Sequence, residues 1–256
     1  QLADHRCVLN YPTNKAEMVR LEDQLMDLDG EAIGAVLVEP IQGRGGKIVP
    51  PSDFLSLLRD WTDQHGVVLI FDEIYTGFNR TGKLFACEHE GIVPDLICLG
   101  KSMSGGYPIS ACVGKSSVMD AWPESDGEAL HTSTFLGNPV GCAMALASIR
   151  EHVRPQTAAK VTERGAKLID LLKNLSCPLI HEVRGRGLML GVELRHADGK
   201  PAGDEAGIIL TEMLRSGVMM LADGPCGNVL AFTPPFIISD AEMQFAVDAL
   251  QCALDR

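Results

Sequence analysis

The stretch "VVLIFDE", residues 67–73, decides the reading of the fold. Five consecutive apolar residues, Val67 to Phe71, run directly into Asp72 and Glu73. The run is too short for a helix, is rich in branched and aromatic residues, and does not alternate with polar ones. That is the texture of a strand buried on both faces. "DLICLGK", residues 95–101, repeats the design and ends in Gly100-Lys101. "AIGAVLVEP" (32–40) and "ISACVG" (109–114) read as two more strands, the first bounded by Gly34 and Pro40. Between them, "PPSDFLSLLRDWTDQHG" (50–66) has a helical stripe of Phe54, Leu57, Leu58 and Trp61. Ser52 is placed to cap that helix and Gly66 to end it. Apolar strands alternating with helices predict an α/β fold with a mainly parallel sheet covered on both sides. In such sheets ligands bind beyond the carboxyl ends of the strands. Asp72, Glu73 and Lys101 all lie at such ends.

Further from this centre, Met18, Leu21, Leu25 and Met26 have helical spacing within residues 15–29. "NPVGCAMALASIREHV" (138–153) predicts a helix with Pro139 in its first turn, and another helix is expected over much of 156–174. The texture then changes. "RGRGLMLGVEL" (184–194), "GVMML" (217–221) and "NVLAF" (228–232) read as shorter strands. "SDAEMQFAVDALQCAL" (239–254) closes the chain as a helix, with Ser239 and Glu242 in capping-box spacing. The expected division is a large domain over 1–152 and a smaller C-terminal α/β domain over 153–256.

Composition narrows the function. The net charge is −12 over 256 residues, which disfavours nucleic acid or an anionic membrane as partner. No apolar run approaches the roughly 20 residues that span a bilayer. The eight cysteines are scattered, with no Cys-x-x-Cys pair. No metal site is expected, and the thiols fit a reducing, cytoplasmic compartment. The first residue is Gln1, and the opening stretch reads as the middle of a longer chain.

The chemistry concentrates at two residues. A lysine at a strand end, held partly out of water, is a candidate nucleophile toward carbonyls. After Lys101, the small residues Ser102, Ser104, Gly105 and Gly106 leave room for a flat ligand. Asp72 emerges from a buried strand, and a carboxylate there needs a partner. A protonated pyridine nitrogen is such a partner. The alternatives are a solvated loop lysine and a structural ion pair.

"VEPIQGRGG", "FDEIYTGFNRTG", "LGKSMSGGYPISA" and "HTSTFLGNPVGCAMALA" stand in the order and spacing of class III aminotransferases, which the chain resembles from about residue 33 to 150 and more loosely to Pro234-Pro235. The resemblance implies the aspartate-aminotransferase fold (type I of the pyridoxal-phosphate enzymes), pyridoxal 5'-phosphate as cofactor, and transfer of an amino group from an amine or ω-amino acid to a 2-oxo acid. It implies that Lys101 holds the cofactor as a Schiff base and shuttles the proton. Asp72 would face the pyridinium, and Thr134 would reach the cofactor phosphate of a neighbouring subunit, which implies a homodimer. An N-terminal part, absent from this chain, would supply the remaining phosphate cradle and a ring-stacking aromatic.

Three departures bear on substrate. Tyr75 stands where many relatives have the glutamine that contacts the cofactor's phenolic oxygen. Arg44 replaces a glutamate common in the ornithine and 4-aminobutyrate enzymes, and Ala231 replaces an arginine that binds substrate carboxylate. Arg44 is therefore expected as an alternative anion site, against the reading of an exposed arginine in a Gly-rich turn. Arg184 and Arg186 are expected in structural pairing and His131 as a loop hydrogen-bonder; Glu73 is not counted as catalytic, and whether it only holds the strand-end loop is left open. Two other readings stay open: a lyase, decarboxylase or aminomutase on the same cofactor, or a cofactor-free binding protein derived from the fold.

Overall fold

A computed structural model describes residues 5–123, 127 and 133–255. The elements, in order, are α1 (Lys15–Met26), β1 (Ala35–Val38), α2 (Phe54–His65), β2 (Val68–Asp72), β3 (Leu96–Leu99), β4 (Ala111–Gly114), α3 (Ser116–Met119), α4 (Pro139–His152), α5 (Pro155–Lys173), β5 (Ile180–Arg186), β6 (Met189–Leu194), α6 (Gly203–Arg215), β7 (Leu221–Asp223), β8 (Val229–Phe232) and α7 (Asp240–Leu254). They form two four-stranded sheets, ordered β1-β2-β3-β4 and β5-β6-β8-β7.

In the first sheet β1, β2 and β3 run parallel, and β4 returns antiparallel to β3. The parallel strands bring three carboxyl ends to one edge, where Glu39, Asp72 and Lys101 follow or close them. One side of this sheet is packed: Leu69 and Phe71 meet Met18, Leu21 and Leu25 of α1 and Phe54, Leu58 and Trp61 of α2. The expected cover on both sides is incomplete here. Leu37 of β1 is 65 % exposed and Val113 of β4 is 52 % exposed.

The second sheet is wholly antiparallel, with every residue of β6 and β8 buried. Val161, Leu168 and Leu172 of α5, Ile209 and Met213 of α6, and Met243, Val247 and Leu250 of α7 share its core. In contrast, Ala145 and Ile149 of α4 pack with Leu99, Phe78 and Met103 of the first half. The change of core thus falls between His152 and Pro155.

Local signals were mostly obeyed. Gly66 ends α2 at φ 68°, a left-handed conformation glycine adopts freely. Ser239 and Glu242 form the reciprocal capping box on α7, and Pro139 opens α4. Three expectations need correction. Ser52 does not cap α2: Asp53 holds the N-cap position without a side-chain bond, and the orphan Leu55 N–H is met by Glu90 from 35 residues away (3.2 Å). "GVMML" is not a strand over its length; pairing begins only at Leu221. "RGRGLMLGVEL" is not one strand but the end of β5, a turn, and β6.

Candidate functional site

Lys101 follows β3 through Gly100, whose extended backbone (φ −176°) carries the chain out of the sheet. Lys101 itself takes φ 42°, the left-handed region that is costly for a residue with a side chain. The neighbouring backbone is tied down on both sides: the Met103 N–H donates to Gly100 O (2.9 Å), and the Ser148 hydroxyl of α4 donates to Ser102 O (2.9 Å). Contrary to the expected partial burial, the Lys101 side chain is exposed. Among the described residues its amine has no ion pair or hydrogen bond; it stands 4.5 Å from the centre of the Tyr75 ring.

Asp72 ends β2 half-buried. Its Oδ1 accepts the Ile74 N–H (2.9 Å), which leaves the rest of the carboxylate uncommitted among the described residues. Glu39 lies beside it at the end of β1 and accepts the Gly43 N–H (2.9 Å). Burial raises the Glu39 carboxyl above its ordinary range, against the Gly43 bond; the Asp72 charge adds to the rise, and Lys101 and Lys47 oppose it. Glu39, Asp72 and Lys101 therefore share one electrostatic neighbourhood.

Glu73 is the neighbour that turns inward. It is fully buried and accepts from the Thr76 hydroxyl and from the Ala86 and Cys87 N–H groups (2.9 and 2.8 Å). Burial pushes its carboxyl upward despite these bonds. Its work is to close the 73–87 loop, so of the two adjacent acids Glu73 is committed inside the fold while Asp72 keeps an oxygen without a partner among the described residues.

Tyr75 sits between two lysines. Lys47, which the sequence reading did not single out, is fully buried, with its ammonium 4.2 Å from the Tyr75 ring centre and 3.0 Å from the Tyr75 hydroxyl. Asp223 of β7, almost wholly buried, pairs with Lys47 (2.6 Å) and with Arg44 (2.5 Å). Arg44 thus carries an ion pair that the sequence did not reveal, though its side chain remains 65 % exposed. Ala231 is buried in β8 opposite Gly191 of β6, against which the Lys47 stem packs. A signal for Lys47 existed only in retrospect: a lysine between glycine and an apolar run, "GGKIVP".

The remaining residues fall as follows. Thr134 is exposed in the turn before α4, and no bond joins it to Lys101, Asp72 or Tyr75 among the described residues. Arg184 bonds Glu182, Glu193 and Gly46 O, and Arg186 lends its charge to the surroundings of His89 and Glu90. Arg184 is paired as expected, whereas Arg186 is exposed and its side chain carries no ion pair or hydrogen bond among the described residues. His131 lies outside the described residues. No group of three or more metal-ligating side chains occurs among the described residues, and no described helix is long and apolar enough to cross a membrane.

Comparison with known proteins adds a second line. The family profile described as "Aminotransferase class-III" matches residues 3–254. The chain is 40 % identical over 221 residues to a 4-aminobutyrate aminotransferase of Mycobacterium leprae, covering 85 % of this chain and 49 % of that protein. It is likewise 40 % identical over 220 residues to an acetylornithine aminotransferase of Methanopyrus kandleri, covering 86 % and 53 %. An amine transaminase from an uncultivated Pseudomonas species, solved in a PLP-bound form, superposes with a TM-score of 0.84 at 33 % identity, over 94 % of this chain and 56 % of that one. The chain spans about half the length of the relatives it matches.

Proposed function

Since the chain belongs to the class III aminotransferase family, we propose that it is part of a pyridoxal-phosphate-dependent transaminase that moves an amino group from an amine or ω-amino acid to a 2-oxo acid. One observation carries the reading: parallel strand ends bring an uncommitted lysine amine and an uncommitted carboxylate to the same edge, beside a tyrosine with a free proton. The donor set fits the cofactor. An amine can hold an aldehyde, a carboxylate can face a ring nitrogen, and the small residues after Lys101 leave room for a flat ring.

When bound, pyridoxal phosphate supplies an electron sink for charge developing on the carbon next to the amino nitrogen. Lys101 Nζ would hold the group covalently and would move the proton at that carbon. The Asp72 carboxylate would keep the ring nitrogen protonated, and the Tyr75 hydroxyl would donate to the ring's phenolic oxygen. Thr134 Oγ1 would hold the phosphate bound by a neighbouring subunit, and Arg44 would bind an acidic group on the substrate.

Residues 1–152 then form part of the large cofactor domain and 153–256 the small domain, a division supported by the change of core between His152 and Pro155. A homodimer is supported by the exposed apolar residues Phe135, Leu136, Val140 and Leu146 on and beside α4, next to Thr134. Eight free thiols are compatible with a cytoplasmic setting.

The test is an absorption spectrum with added pyridoxal phosphate, before and after borohydride, beside Lys101→Ala. The expected result is a visible-edge band that becomes irreversibly attached only when Lys101 is present. Equal labelling of the Lys101→Ala chain would overturn the assignment.

A further inference from the structure

Lys47 is costly to keep where it is. It is fully buried, and at φ 56° its backbone is in the left-handed region. An apolar side chain would fill the same space without the desolvation penalty of a charge. Its stem packs against Gly191, where an added Cβ would stand 3.1 Å from Lys47 Cγ and 2.8 Å from Val229 Cγ1, so that strand position is kept open by a glycine.

The hydrogen-bond inventory narrows what this charge does. An ammonium has three N–H donors and no acceptor. Lys47 donates hydrogen bonds to the Tyr75 hydroxyl (3.0 Å) and to Gly43 O (3.5 Å), and its charge is paired with Asp223 Oδ2 at 2.6 Å. Fully buried among these three groups, the ammonium is itself closed off from solvent. The Tyr75 oxygen, in turn, accepts from Lys47, and its own proton has no acceptor among the described residues. Lys47 occupies one lone pair of the phenol oxygen, and its positive charge disfavours the approach of a second cationic donor. The Tyr75 O–H is thereby turned toward an acceptor, best of all an anionic oxygen.

We propose that Lys47 is a positioning residue: with Asp223 holding its charge in place, it fixes the Tyr75 hydroxyl as a donor to the phenolic oxygen of the cofactor. The inference rests on the functional reading above and deepens it. The pair also gives a physical account of why a tyrosine can serve at position 75: the lysine supplies the orientation that a lone phenol, free to rotate its proton, lacks.

The experiment follows the visible absorption of the lysine-bound cofactor as a function of pH. The proton on the Schiff-base nitrogen is shared with the phenolic oxygen. A donor to that oxygen weakens its hold on the proton, so losing the donor raises the apparent pKa. Tyr75→Phe and Lys47→Met should each raise it by about one unit, the size of one charge-assisted hydrogen bond. The double variant should lie no higher than Tyr75→Phe alone, because Lys47 acts through the hydroxyl. Lys47→Gln, which keeps an N–H donor, should recover part of the shift. A Lys47→Met titration equal to that of the parent, or shifts that add in the double variant, would overturn the proposal while leaving the transaminase reading intact. Loss of Lys101-dependent labelling in the parent would overturn both. If Lys47→Met fails to fold, Lys47→Gln serves in its place: its apparent pKa should lie between those of the parent and Tyr75→Phe, and a titration equal to the parent's would overturn the proposal.

Discussion

At the residue scale, the division of labour between Asp72 and Glu73 decides what can be ligand-facing. Glu73 has its carboxylate filled by three donors from its own loop, whereas Asp72 gives one oxygen to Ile74 N and retains the rest. Asp72→Ala should leave borohydride attachment at Lys101 in place but cut amino transfer by about 100-fold or more, the scale of removing one preorganised electrostatic group from a site; a near-normal turnover would exclude the role. Arg44 is different in kind. Asp223 keeps Lys47 as a partner when Arg44 is lost, so the fold should tolerate Arg44→Ala. With an acidic substrate KM should rise by about tenfold, the loss of one charged hydrogen-bonding group, with kcat largely kept. An unchanged KM would return Arg44 to a purely structural pairing. Lys101 and Asp72 were legible in sequence because each ends an apolar run, and such runs mark strands. Lys47 was not: nothing in a chain reveals that a lysine will be enclosed by residues 28 and 176 positions away, at Tyr75 and Asp223.

At the element scale, α5, the β5–β6 turn and the 80–82 loop converge on glycines. A Cβ on Gly165 of α5 would stand 2.2 Å from the Gly187 carbonyl oxygen, and Gly187 itself, at φ 57°, lies against the backbone of Arg80 and Thr81. Gly165→Ala should therefore cost about 1–3 kcal/mol, read as a lower denaturation midpoint, because backbone cannot move aside as a side chain can. Arg80 stitches the same junction. Its guanidinium donates to Leu188 O (3.0 Å) and Pro234 O (2.7 Å) and faces the Phe236 ring at 4.5 Å, and burial without a carboxylate lowers it to about 10. His89, bonded to Thr81, is lowered to about 4 by burial and then by the Arg186 charge. Its folded value lies below its ordinary one of 6.5, so the unfolded chain binds a proton that the fold refuses within that window. Stability should be full above that ordinary value and fall as pH drops toward 4. Urea midpoints at pH 7 and 5 would show the loss, and His89→Gln should reduce it. The capping of α7 was legible because Ser239 and Glu242 are neighbours in sequence, whereas the capping of α2 by Glu90 was not.

At the scale of the whole molecule, the two sheets meet through the 42–48 turn. Gly224 N donates to Arg44 O (2.9 Å), Arg184 Nε donates to Gly46 O (2.9 Å), and Asp223 spans to Arg44 and Lys47. One turn of the first half therefore carries groups that face both the β2–β3 edge and the antiparallel sheet. Elsewhere, Val140 and Leu146 of α4 are exposed, as are Phe135 and Leu136 just before it. If this face joins two subunits, light scattering should give twice the chain mass, and Phe135→Glu with Leu146→Glu should yield the monomer; a dimer insensitive to both would place the contact elsewhere. The sequence by itself determined the element types, the parallel core and the position of Lys101 and Asp72 at strand ends, because these follow from period, run length and local turn chemistry. The tertiary structure alone decided that Lys101 is exposed, that Arg44 is paired, that Glu73 is structural and that a buried lysine governs Tyr75. Each of those depends on which distant groups share a low-dielectric space, and that is fixed by packing between elements and not by any local pattern.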